Sequence, residues 1–85
     1  MKTFLYTITD PIGMHARPAG LLAQAAAAYQ SLTMLHSGLH TADACDAAAV
    51  LRMGLRCGDT ITVTVQGPDE VAAAAVLEQF FKARL

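Results

Sequence analysis

The sequence predicts a two-layer α/β domain, and three observations carry that prediction. Two segments alternate apolar residues with threonine: Phe4, Tyr6 and Ile8 among Thr3, Thr7 and Thr9, and Ile61, Val63 and Val65 among Thr60, Thr62 and Thr64. A period of two is that of a strand with one buried face. Two alanine-rich stretches place their larger apolar residues at helical spacing. Glycine and proline punctuate the joints between these segments. Read in order, the elements are β-α-β-β-α-β-α, which argues for helices on one face of a sheet. The threonine-rich face then meets solvent.

The first strand ends at Asp10-Pro11-Ile12-Gly13, where Pro and Gly break the alternation. The first helix is expected from about Ala16 to Tyr29, with a stripe of Leu21, Leu22, Ala25, Ala26 and Tyr29. Gly20 weakens it by about 1 kcal/mol at most, and less this close to its end. Leu32 to His36 is a second strand, Ser37-Gly38 a tight hairpin turn, and Leu39 to about Asp43 a short third strand. A short helix follows from Asp46 to Met53, with Gly54 closing it. Cys57-Gly58-Asp59 turns the chain into the strand Thr60 to Gln66. Gly67-Pro68-Asp69 then delivers Asp69 as N-cap of the last helix, Glu70 to about Ala83. That helix presents Ala73, Leu77, Phe80 and Phe81 to the core, with Lys82 and Arg84 at the end that favours cations.

Composition bounds the function. With 85 residues, residues 1–85 are expected to form one domain with a single modest core. Hydrophobic residues make up 54% of the chain, so it is globular, although much of that fraction is alanine. A formal net charge of -1 offers no footprint for nucleic acid or an acidic membrane. No apolar run approaches the length of a membrane span. Met1-Lys2-Thr3-Phe4 runs straight into a strand pattern, so no signal peptide is expected and the location is cytoplasmic by default. Cys45 and Cys57 have no CxxC spacing and are read as reduced thiols.

The chemistry concentrates at one joint, Asp10-Pro11-Ile12-Gly13-Met14-His15-Ala16-Arg17-Pro18-Ala19-Gly20. A helix N-terminus leaves its first amides without internal partners, and the helix dipole adds positive potential, so this end attracts anions. Pro18 suits a first turn, where its missing N–H costs nothing. His15 stands at the mouth of this site with a nucleophilic imidazole. Arg17 brings a permanent charge suited to phosphate. The combination suggests a phosphoryl group carried on His15; the plainer reading of that residue is a helix-capping histidine with no chemistry.

Gly13-Met14-His15-Ala16-Arg17-Pro18-Ala19 resembles the active site of the HPr family, the histidine-containing phosphocarriers of the bacterial phosphoenolpyruvate:sugar phosphotransferase system. The resemblance covers the whole chain, with Gly54-Leu55, Gly58 and the Val63-x-Val65-x-Gly67 stretch where the family has them. It implies an α+β fold, an open-faced β-sandwich of antiparallel strands in the order 1-4-2-3 with the helices on one face. It implies that enzyme I phosphorylates His15 on Nδ1 and that the group passes to enzyme IIA domains for sugar uptake. Arg17 carries over as the residue that steadies the phosphate, with the amides of Ala16 and Arg17 beside Pro18 as its cradle. The protein would be a stoichiometric carrier and a monomer, needing no cofactor, since phosphoryl transfer is mostly positioning and charge stabilisation.

The sequence also departs from the family. Partner-docking positions are expected at Met14, Gly20, Asp46, Ala47, Ala48 and Leu51, and the alanines make this patch shallow. Lysines frequent in relatives are replaced by Gln24, Ala27, Cys45 and Ala49. The regulatory serine of Gram-positive relatives falls on Asp46. The thin patch keeps a second class open, a regulatory module that works by docking to a transcription factor or enzyme. Met14 reads equally as a docking contact or a residue covering the core edge. His36, His40 and Cys45 invite a metal site, but their spacing matches no zinc pattern and no metal is assigned. Cys57, beside a turn, reads as inert.

Overall fold

The computed structural model describes residues Met1–Leu85. Its elements are β1 (Lys2–Thr7), α1 (Ala16–Ala27), β2 (Leu32–Ser37), β3 (His40–Asp43), α2 (Ala47–Arg52), β4 (Thr60–Gln66) and α3 (Glu70–Arg84). The strands form one antiparallel sheet in the order β1-β4-β2-β3. This is the α+β open-faced sandwich expected from the resemblance.

Alternation decides which face the helices cover. Ile61, Val63 and Val65 are fully buried, whereas Thr60 is exposed and Thr62 and Thr64 are half-buried. Register carries the same division into the neighbouring strands. Val63 pairs with Phe4 on one side and Leu35 on the other, and Leu35 pairs with Ala42. Leu22 of α1, Val50 of α2 and Leu77 and Phe81 of α3 close on this face from above. Phe81 sits centrally, with the rings of Phe4 and Tyr6 at 6.0 and 5.6 Å. Small residues, Ala19, Ala26, Ala42, Ala44 and Ala73, fill the remaining gaps and let helices approach the sheet closely. Phe80 is only half-buried, against an expected core position.

Two boundaries and one cap differ from the sequence reading. α1 stops at Ala27 because the next amides shorten their reach: Ala28 N donates to Ala25 O and Tyr29 N to Ala26 O. The hairpin turn is Gly38-Leu39, since Ser37 still pairs with His40. Gly38 heads that turn at φ +59, and Leu39 is wholly exposed at its tip. Asp69 stands at the N-cap position of α3, yet its carboxylate makes no cap bond there. Instead it accepts from Gln30 N at 2.8 Å, Ser31 N at 2.9 Å and Ser31 Oγ. A residue chosen for local capping thus ties the start of α3 to the α1–β2 connection. These bonds, Ser31 Oγ first, hold its carboxyl below the ordinary carboxylate range.

Candidate functional site

The loop between β1 and α1 is fixed at several points before it reaches His15. Asp10 Oδ1 accepts from Ile12 N at 2.8 Å, and Asp10 O accepts from Gly13 N at 2.9 Å, which folds the Pro-containing corner on itself. Gly13 then takes φ +76 and lies so close to the segment after α2 that a Cβ there would come within 2.6 Å of Leu55 O. Met14 N donates to that same carbonyl at 3.0 Å. From below, Leu85 O accepts from Thr9 N and Asp10 N at 2.6 and 2.8 Å, and from Thr9 Oγ1 at 3.1 Å. The end of α3 therefore braces the loop that presents His15.

His15 is the N-cap residue of α1, extended at φ -130, ψ -177, and its carbonyl accepts the first helical bond from Ala19 N at 3.1 Å. Its side chain makes no cap bond, so the plain capping reading fails and the imidazole is unemployed and half-exposed. The amides of Ala16 and Arg17 donate to no other group. Pro18, buried in the first turn, has no N–H to leave unpaired. No acidic residue sits in that turn to satisfy the amides or offset the dipole.

His15, Arg17, Pro18, Leu21, Ala83 and Arg84 line one open cleft of about 220 Å³. Neither guanidinium forms an ion pair; the one salt bridge in the structure joins the Met1 amine to Glu70. Two free cations and a free imidazole in one cleft, beside a helix start with unpaired amides, can receive an oxyanion next to a nucleophile. The sequence reading missed Arg84, treating it only as a cation suited to a helix C-terminus. Nothing local brings it to His15: the packing of α3 against α1 does so.

The other expected site residues lie outside this cleft. Met14 is 8% exposed and belongs to the core cluster, so the core-edge reading holds and the docking expectation for Met14 is corrected. Gly20 is half-buried in α1, with nothing within 4 Å of where a Cβ would stand. α2 packs beside α1 and exposes Asp46, Ala48 and Leu51, while Ala47 is half-buried against the core. Asp46 Oδ1 accepts from Ala49 N at 3.1 Å, a true N-cap.

The register sets His36 and His40 on opposite faces of the sheet, with His36 Nε2 3.2 Å from Thr64 Oγ1. No group of three or more His, Cys, Asp or Glu side chains is close enough to hold a metal ion. Both cysteines are free. Burial, then the neighbouring Asp43 carboxylate, pushes the Cys45 thiol up from its ordinary value, which disfavours a thiolate there. No helix is long and apolar enough to cross a membrane.

Known proteins match both the sequence and the fold. A family model described as the phosphorylation site of the HPr component of the phosphotransferase system matches residues 2–83. A phosphocarrier protein HPr from Treponema pallidum is 40% identical over 75 residues, covering 88% of this chain and 85% of that protein. A multiphosphoryl transfer protein from Xanthomonas campestris is 41% identical over 71 residues, of which the match covers 84% of this chain and 8% of that much longer protein. Among solved structures, the histidine-containing phosphocarrier protein of a mycoplasma superposes with a TM-score of 0.90 at 29% identity, over 93% of this chain and 90% of that one.

Proposed function

The chain belongs to the HPr family of phosphocarriers of the phosphotransferase system, and we propose that His15 is the residue on which it carries the phosphoryl group. The observation that carries this reading is the unemployed imidazole of His15 next to two unpartnered amides and the guanidinium of Arg17. In the reaction, the Nδ1 lone pair of the neutral imidazole bonds to phosphorus. The bond from phosphorus to the donor breaks, and its electron pair leaves with the donor. The amides of Ala16 and Arg17 donate to phosphate oxygens, with Pro18 keeping the first turn open, and Arg17 holds the charge with paired hydrogen bonds. The reverse geometry releases the group to an acceptor, because a phosphoramidate leaves a neutral ring.

The chain acts as a stoichiometric carrier and not as a turnover catalyst, with enzyme I as donor and enzyme IIA domains as acceptors, in the cytoplasm. Asp46, Ala47, Ala48 and Leu51 of α2, with Gly20 of α1, form the docking surface beside the cleft. Two helices side by side and a small-residue surface suit a flat partner face.

Incubation with phosphoenolpyruvate and enzyme I, followed by intact mass, tests the assignment. One acid-labile, base-stable phosphoryl group is expected, absent from His15→Ala, which keeps the fold because His15 lies outside the core. Arg17→Ala slows transfer strongly with little change in stability. An acid-stable adduct, or one that persists in His15→Ala, places the group elsewhere.

A further inference from the structure

We propose that Arg84 is a second phosphoryl-contacting cation, so that the charge on phosphorylated His15 is met from α3 as well as from α1; this rests on His15 being the acceptor. Arg84 lines the same cleft as His15 and Arg17, from the opposite helix. Its guanidinium lies 5.5 Å from the centroid of the Phe80 ring, an arrangement that holds the flexible side chain in place from one turn earlier on α3. The end of α3 is itself fixed, since Leu85 O accepts from Thr9 and Asp10 in the loop that leads to His15. Arg84 and His15 are therefore braced against each other through the backbone.

Charge supports the pairing. No carboxylate side chain lines the cleft, and neither Arg17 nor Arg84 is engaged in an ion pair. Two like charges line one site, and no side-chain carboxylate stands there to offset them. A phosphoryl group on imidazole is a dianion near neutral pH. It supplies the missing charge when it arrives and removes it when it leaves. Arg17 alone matches half of that charge; Arg17 and Arg84 together match it all. Lys82, one residue before Ala83 on the same last turn, is not part of the cleft. It serves as a control of equal charge.

The test uses phosphoramidate as a small donor, which removes partner docking from the measurement. The imidazole nitrogen bonds to phosphorus, the phosphorus–nitrogen bond of the donor breaks, and ammonia leaves with the electron pair. Loading is followed by intact mass. Arg84→Ala and Arg84→Gln are expected to load about fivefold more slowly, the scale of one exposed charge-assisted contact. Arg84→Lys should stay within about twofold, and Lys82→Ala likewise. Arg84→Gln keeps the stem over Phe80, so a variant that loses packing is separated from one that loses charge. Phosphorus NMR gives a second readout. A cation favours the dianion, so its removal must raise the pH at which the phosphoryl group on His15 loses its last proton.

Wild-type loading on His15 with unchanged rates and an unchanged titration midpoint in Arg84→Ala and Arg84→Gln overturns the proposal and leaves the acceptor assignment standing. Lys82→Ala slowing as much as Arg84→Gln also overturns it, since the effect is then long-range steering. If the wild-type group survives in His15→Ala, the acceptor assignment fails and this proposal falls with it.

Discussion

Replacing Gly13 by alanine separates the cost of an unusual backbone angle from the cost of a close approach. Gly13 has φ +76, and a Cβ built there would stand 2.6 Å from Leu55 O and 2.9 Å from Arg56 Cα. Both obstacles are backbone, so no side chain can swing aside. Gly54, just past α2, has φ +66 with nothing within 4 Å of its Cβ position. For each substitution the left-handed conformation costs about 1–2 kcal/mol. At Gly13 the displaced backbone adds about 1–3 kcal/mol, as overpacking does. Losing the Met14 N to Leu55 O bond adds about 1 kcal/mol more. Gly13→Ala should therefore cost about 3–6 kcal/mol and Gly54→Ala about 1–2 kcal/mol. A domain of 85 residues has about 4–13 kcal/mol in all, so the first loss is a large part of it. Urea unfolding of both variants gives the two losses from the midpoints, with the slope checked for constancy. Because Gly13 lies two residues before His15, residual folded Gly13→Ala protein should also load phosphate more slowly than Gly54→Ala. Equal stability losses, within about 0.5 kcal/mol, would refute the close-approach argument.

Three further outcomes follow from the same structure. Asp46→Ser should leave stability within about 0.5 kcal/mol, since serine also caps. It should speed loading of His15 by enzyme I at low salt by lifting a charge from the proposed docking face, an advantage that shrinks as salt rises; an HPr kinase with ATP should leave the wild-type protein unmodified. Asp69 has a carboxyl held below its ordinary range by Ser31 and Gln30, so its share of stability is present above the ordinary carboxylate pKa and is lost as pH falls through the lower folded value. Thermal unfolding from neutral to acidic pH should show a larger loss in the wild type than in Asp69→Asn, where the lowered Glu70 carboxyl still contributes, and Asp69→Asn should be less stable at neutral pH. Gly20→Ala should stabilise the protein by about 0.5–1 kcal/mol, raising Tm by about 2–8 °C, because its helical backbone and open surroundings accept a methyl group.

Local chemistry made most of this protein legible before any contact was known. Alternation in β1 and β4 and helical spacing in α1 and α3 gave the elements, because each needs only neighbours in sequence to choose its buried face. The joint from Gly13 to Pro18 pointed to its proposed chemistry for the same reason: an imidazole, a guanidinium and a helix start are all local. The capping role of Asp46 was equally readable. The hairpin was displaced by one residue, since Ser37-Gly38 and Gly38-Leu39 are both acceptable turns and only the pairing of Ser37 with His40 chooses between them.

Interactions within a few residues set the order of elements, the helix faces and the gathering of His15, Arg17 and Pro18 at one helix start. Long-range packing chose where those pieces meet. Met14 reads either way in sequence, and the folded chain buries it in the core while its amide bonds Leu55 O. Asp69 could have capped α3 until Gln30 and Ser31, distant in sequence, offered three donors to its carboxylate. Arg84 carried no local sign of sharing a cleft with His15, because that neighbourhood exists only when α3 lies against α1 and its last residue bonds the loop before His15. Each of these choices is made by groups far apart in the chain, and their energies come into being only once the chain has closed on itself.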